Sequence, residues 1–155
     1  MADLLVHFGT AWLPARGLRD GRLRAILYVG VCLPDLLYKG ILYLGNSPTW
    51  LCEPTHSPLG LLPFCYVGAL LFEEAWRKRA FAALVAGGWL HLLLDGAKNF
   101  MGFGGIPWAF PFSMRTAALG WYAPEDSVWL MLPTLALMGI AEAFSRLSGR
   151  RPASP

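Results

Sequence analysis

The chain has 155 residues and a net charge of +3, with 55% hydrophobic and only 15% charged residues, against about 25% charged in an average soluble domain. Its mean hydropathy is +0.45, and one core of this size cannot hide that much apolar surface. Two independent cores are excluded by length, and a membrane protein is the natural class.

The chain opens MADLLVHFG. An acid stands where a secretory leader carries its positive charge and no small-residue cleavage site follows, so a cleavable signal peptide is not expected. The apolar run 4–13 is too short to cross a bilayer and is expected to dip into the membrane as a half-helix whose ends protein buries. The stretch 25–45 reaches the roughly 20 residues an upright span needs. Inside it, LPDLLYKG sets Pro34 ahead of Asp35. Proline lacks a backbone donor and crowds the preceding turn, so a kink or break is expected there. A lone mid-membrane carboxylate costs about 2.5–3.5 kcal/mol on insertion scales unless it faces a partner or a polar cavity.

The segment 46–58 is rich in Pro, Ser and Thr and is expected to lie outside the bilayer core, with His56 at the mouth of the next helix. Three shorter apolar stretches follow at 59–76, 80–95 and 128–144, near the lower limit of about 17 residues for a span. The expected architecture is therefore all-α: a multi-pass bundle of about four transmembrane helices plus the short N-terminal dipping helix. Residues 1–147 form one membrane-embedded domain and 148–155 a disordered tail. The loop 96–126 is dense in glycine, proline and aromatics; Gly102, Gly104 and Gly105 permit unusual backbone angles, and Trp108, Phe110 and Phe112 suit an interfacial layer. It reads equally as a lid or as an aromatic belt.

Ten of the thirteen basic residues fall in three short segments: Arg16, Arg19, Arg22 and Arg24; Arg77, Lys78 and Arg79; Arg146, Arg150 and Arg151. Short basic loops stay cytoplasmic, so both termini are expected on the cytoplasmic side of a plasma (inner) membrane, with the bilayer as the partner and no nucleic acid. An oligomer is compatible with this reading. Cys32, Cys52 and Cys65 are odd in number and lack CxxC spacing, so they are expected to be packing residues.

The three histidines sit on polar islands beside apolar runs: His7 in LLVHFG, His56 in PTHSPLG and His91 in HLLLDG, with Asp95 four residues on. A helix puts His91 and Asp95 on one face. His7, Asp35, His56, His91 and Asp95 supply three imidazoles and two carboxylates, enough for one ion or for two sharing a carboxylate. A buried hydrogen-bond network and a proton or ion path stand as alternatives.

His near the start, then LPD, then THS, then HLLLD, then a glycine and PFS: this order resembles the YdjM-like family of inner-membrane-associated metal-dependent hydrolases, which is distantly similar to zinc-dependent phospholipase C. The resemblance runs from His7 to Ser113. It implies that His7, Asp35, His56, His91 and Asp95 bind a divalent metal ion, zinc first and manganese or iron as alternatives, with Thr55 and Ser57 as supporting donors. The chain departs from the family pattern at Leu37, where a second acid is frequent, at Cys52, Glu53 and Pro54, where a His-Arg pair is frequent, and at Lys98, where a threonine is common. These losses point away from a full two-metal centre, toward one ion or a degenerate site.

Asp3, four residues before His7, is expected either to orient that imidazole or to be an ordinary N-terminal helix residue. Glu53 reads as a replacement ligand or a solvated loop acid. Lys98 and Arg115 are expected to hold a phosphate substrate or to anchor at the interface, and Glu142 to pair with Arg146. The expected activity is hydrolysis of an ester or phosphoester, lipid-like in kind, by metal-activated water, with Asp35 or Asp95, where not engaged as a ligand, as general base. The alternatives are an ion or proton carrier and a structural membrane protein.

Overall fold

A computed structural model describes residues 2–45, 48–99 and 105–147. Among them the chain is all-helical, with no strand. In order come α1 (Ala2–Gly17), α2 (Gly21–Lys39), a π-helical turn (Gly40–Leu44), α3 (Thr49–Cys52), a 3₁₀ turn (Glu53–His56), α4 (Leu62–Leu70), α5 (Glu74–Ala97), a second 3₁₀ turn (Pro124–Asp126) and α6 (Ser127–Leu147).

Asp20 starts α2: its extended backbone and its side chain, which accepts from the Arg22 N–H at 2.8 Å, satisfy a donor the first turn leaves open. The helix then runs through Pro34 without a break. The expected interruption at Asp35 is absent, and the backbone changes only at the π turn beyond Lys39.

The centre of the bundle is the α2–α5 pair, the most extensive contact in the fold. The pair approaches closely because both faces carry glycine. A Cβ at Gly87 would lie 2.2 Å from the Leu27 carbonyl, and one at Gly30 would lie 2.5 Å from that of Leu84. Small residues at a crossing let two backbones meet, as helices in membranes commonly do. The two helices run parallel: Arg22 stacks on Trp76 near their starts, Gly30 faces Leu84 midway, and Asp35 faces His91 near their ends. Ile26, Leu61, Cys65, Ala69, Ala80, Leu84, Leu92 and Ile106 fill the core between α2, α4 and α5. Cys52 and Cys65 are buried and Cys32 half-buried, all three as free thiols.

Among the described residues two helices, Gly21–Tyr43 and Glu74–Ala97, are long and apolar enough to cross a bilayer. The expected count of four is not borne out. The stretch 59–76 yields only the nine residues of α4, about 14 Å, because turns at Leu59–Leu62 and Ala69–Phe72 end the helix on both sides. The segment 128–144 forms a longer helix whose apolar part is Trp129–Phe144, and its outer face exposes Trp129, Leu132, Leu135, Ile140 and Phe144.

The N-terminal segment is also different from expectation. It is a 16-residue helix that continues through Pro14, well beyond the apolar run. It lies along α6, with Gly9 against Thr134 and Arg16 paired to Glu142 at 3.1 Å. Glu142 therefore pairs across helices with Arg16; the side chain of Arg146, its expected partner, lies outside the described residues. Phe8 meets Tyr28 of α2, and a short turn at 18–20 joins the two helices antiparallel. α1 thus begins at the His91–Asp95 end and finishes at the arginine end, whereas α6 finishes at the arginine end. The start of α1 and the end of α6 lie at opposite ends of the bundle, which does not support both termini being cytoplasmic. The tail 148–155 lies outside the described residues.

Candidate metal centre

Three elements converge at the far end of the α2–α5 pair. α2 delivers Asp35 one turn past the Gly30 crossing. α5 delivers His91 and Asp95 on one face, one turn past Gly87. The loop between them delivers His56, and Ser57 shapes that loop: its hydroxyl donates to the Pro54 carbonyl at 2.8 Å and accepts from the Gly60 N–H at 2.9 Å. The Trp89 indole, donating to the Pro58 carbonyl at 3.3 Å, ties the loop to α5.

Four donor atoms face one point. His56 Nε2 lies 3.5 Å from Asp35 Oδ1 and 3.8 Å from Asp95 Oδ2; His91 Nε2 lies 3.7 Å and 3.2 Å from the same two oxygens. One ligand atom from each of the four residues falls within 4.8 Å of all the others. Bonds of about 2.0–2.2 Å in a tetrahedron set its edges at about 3.3–3.6 Å. The four histidine–aspartate edges bracket that range. Two further observations fit an ion. His91 is 1% exposed, and its buried Nε2 has only the carboxylate oxygens around it, the nearer being Asp95 Oδ2 at 3.2 Å; a cation among these atoms would bind the nitrogen and the carboxylates together. The Thr55 hydroxyl donates its proton to the Cys52 carbonyl at 2.7 Å and sits 3.3 Å from His56 Nδ1. It can only accept from that nitrogen, so the ring proton belongs on Nδ1 and Nε2 keeps its lone pair.

His7 stands apart from the four. Its ring packs edge-on against His91 with centroids 4.0 Å apart, and its Nε2 lies 3.1 Å from Asp95 Oδ1, the oxygen turned away from the common point. The five expected ligands are brought together as four plus one. Lys98 is the largest departure: it is buried, and its ammonium bonds Asp95 Oδ1. The turn that closes α5, with the Lys98 N–H on the Asp95 carbonyl at 3.0 Å, folds it back under the helix. It therefore neither anchors at an interface nor extends toward a substrate. Arg115 is exposed and makes no ion pair with either cluster carboxylate among the described residues. Ser57 works within its loop and Glu53 lies outside the donor group. The side chain of Asp3 lies outside the described residues.

Two residues not singled out from the sequence join the site. Lys39 sets its ammonium 2.7 Å from Asp35 Oδ2, a pair that the i,i+4 spacing already signalled. Tyr38 packs edge-on against the His56 ring, centroids 5.1 Å apart. The site is open on this side only in part: the Asp35 side chain is 31% exposed and that of His56 15%, against 8% for Asp95.

The segment 105–123 works as a strap behind α5. Leu119 and Trp121 N–H groups cap the Gly96 and Ala97 carbonyls at 2.7 and 2.8 Å, the Tyr122 hydroxyl donates to the Leu94 carbonyl at 3.1 Å, and Trp108 lies on Gly96 where a Cβ would come within 2.6 Å of the indole. These are the open carbonyls of a helix end. The strap holds the turn carrying Asp95 and Lys98; Gly102 and Gly104 lie outside the described residues.

The family model described as YdjM inner membrane protein matches residues 4–153. The chain belongs to this family. Its order of LPD, THS and HLLLD is thus the order in which a YdjM inner membrane protein brings Asp35, His56, His91 and Asp95 to one end of its bundle. Neither a curated protein nor a solved structure matches the chain.

Proposed function

We propose that this YdjM-family protein is a membrane-bound, metal-dependent hydrolase of phosphoesters, lipid-like in kind, with its site toward the non-cytoplasmic side of the inner membrane. The observation that carries the proposal is the set of four donor atoms, two imidazole nitrogens and two carboxylate oxygens, all within 4.8 Å of one another and 3.2–3.8 Å apart across each histidine–aspartate pair. Asp35, His56, His91 and Asp95 would hold one divalent ion, zinc by donor type, with manganese or iron as alternatives. Such an ion, when bound, supplies a Lewis acid that lowers the pKa of water to about 7.

The chain's own groups do the rest. Thr55 holds the His56 tautomer. Asp95, nearly dry, and His91 form the rigid inner wall. Asp35 is the carboxylate on the open side: its Oδ1 would ligate the ion, and its Oδ2 is held by the Lys39 ammonium at 2.7 Å. Asp35 and Asp95 are each paired to a lysine, Lys39 and Lys98, so these four charges cancel and a divalent ion leaves the site with an excess of two positive charges. That balance favours an anionic ester over a neutral one. Lys39, 61% exposed at the open side, is the first cation an entering phosphate meets.

The test is metal content by mass spectrometry together with hydrolysis of phosphomonoesters, phosphodiesters and phospholipids, on detergent-purified protein beside His91→Ala. The expected result is a bound ion and turnover in the wild type, with both lost in the variant. Wild-type protein that retains no ion after reconstitution with zinc, manganese or iron removes the metal reading. An ion-loaded protein inert on every ester class removes the hydrolase and leaves a structural or transport role for the same cluster.

A further inference from the structure

Resting on the metal reading above, we infer that the ammonium of Lys98 occupies the position of a second cation, so that the centre takes a single divalent ion. Asp95 is the pivot. Its Oδ2 faces His91 and His56 at 3.2 and 3.8 Å, and its Oδ1 faces His7 Nε2 at 3.1 Å and the Lys98 ammonium. A carboxylate with one oxygen toward each of two cationic positions is the bridging arrangement of paired-metal sites. Here an imidazole nitrogen and a carboxylate oxygen stand on the second side at a separation close to that of two ligands of one ion, and the protein has placed its own positive charge on that carboxylate oxygen.

The lysine is built in. Its side chain is 5% exposed, and burying an ammonium is favourable only where an opposite charge receives it. Its backbone is held at the close of α5, with Asn99 N–H on the Tyr122 carbonyl at 2.7 Å and the strap bridging Lys98 to Tyr122. A lysine tethered three residues from its carboxylate neutralises that oxygen permanently, whatever ions the surroundings offer. His7 is then a positioning residue: it packs on His91 and fixes the Asp95 carboxylate from behind.

The experiment is zinc and manganese stoichiometry on the full-length, detergent-purified protein, by mass spectrometry and by titration calorimetry. One ion per chain is expected in the wild type, two in Lys98→Ala, and one again in Lys98→Ala combined with His7→Ala. A folded Lys98→Ala that still takes one ion overturns the inference and leaves the metal reading standing. Two ions in the wild type also overturn it. No ion in the wild type removes the metal reading, and this inference with it. If Lys98→Ala does not fold, electron paramagnetic resonance of the wild type saturated with manganese decides: the hyperfine pattern of an isolated ion supports the single site, and an exchange-coupled pair overturns it.

Discussion

The Thr55 hydroxyl stands between the Cys52 carbonyl, 2.7 Å away, and His56 Nδ1, 3.3 Å away, and so decides which nitrogen of His56 is available to an ion. Its single proton is committed to the carbonyl, and the imidazole proton is held on Nδ1 in return. A short local turn thereby sets the chemistry of a histidine whose reactive nitrogen faces residues of two other elements.

Thr55→Val keeps the shape and removes the acceptor. Zinc affinity, measured by competition with a chromophoric chelator, is expected to fall by about 10–100-fold, while Thr55→Ser retains it. Equal affinities for all three proteins would refute this role for the hydroxyl.

Gly87→Ala is expected to damage both stability and the site. The added methyl would lie 2.2 Å from the Leu27 carbonyl and 2.8 Å from the Val31 nitrogen, backbone atoms that cannot swing aside, so α2 and α5 must separate. Overpacking of this kind costs about 1–3 kcal/mol, and the separation draws Asp35 away from His91. Thermal unfolding in detergent and zinc titration are both expected to register the change. Gly139→Ala, with nothing within 4 Å of the new carbon, is expected to leave both measurements unchanged or slightly improved.

Lys39→Gln separates substrate attraction from folding. The Lys39–Asp35 pair is exposed on the lysine side, so its loss is expected to shift stability by about 1 kcal/mol or less. Removing a positive charge beside Asp35 is expected to tighten metal binding and to raise KM for an anionic ester while changing kcat less, with the KM effect shrinking at high salt. An unchanged KM would place substrate entry elsewhere.

The antiparallel arrangement of α1 and α2 predicts the topology. With the arginine end of the bundle cytoplasmic, a reporter fused after Leu147 is expected to read cytoplasmic and a tag before Ala2 to read non-cytoplasmic. Both reporters on one side would mean that α1 does not pass through the bundle beside α6.

Much of the site was legible in sequence because its signals are local or costly. His91 and Asp95 share a face by helical periodicity alone, Asp35 announces itself because a carboxylate in an apolar run demands a partner, and the membrane class follows from composition. The i,i+4 spacing of Asp35 and Lys39 carries the same information. Hydropathy misjudged 59–76, since it counts apolar residues without registering that backbone turns divide the stretch into the nine residues of α4 and the start of α5. It also undervalued the N-terminus, where the helix outruns its apolar run by packing on α6. Sequence by itself determined the residue types, their order and the helical faces, because those depend on near neighbours along the chain. Only the tertiary structure decided that His7 stands behind Asp95 and that Lys98 turns inward to meet it. Those positions are set by the direction of α1, by the Gly30–Gly87 crossing and by the strap over α5, contacts between residues far apart in sequence that no local pattern encodes.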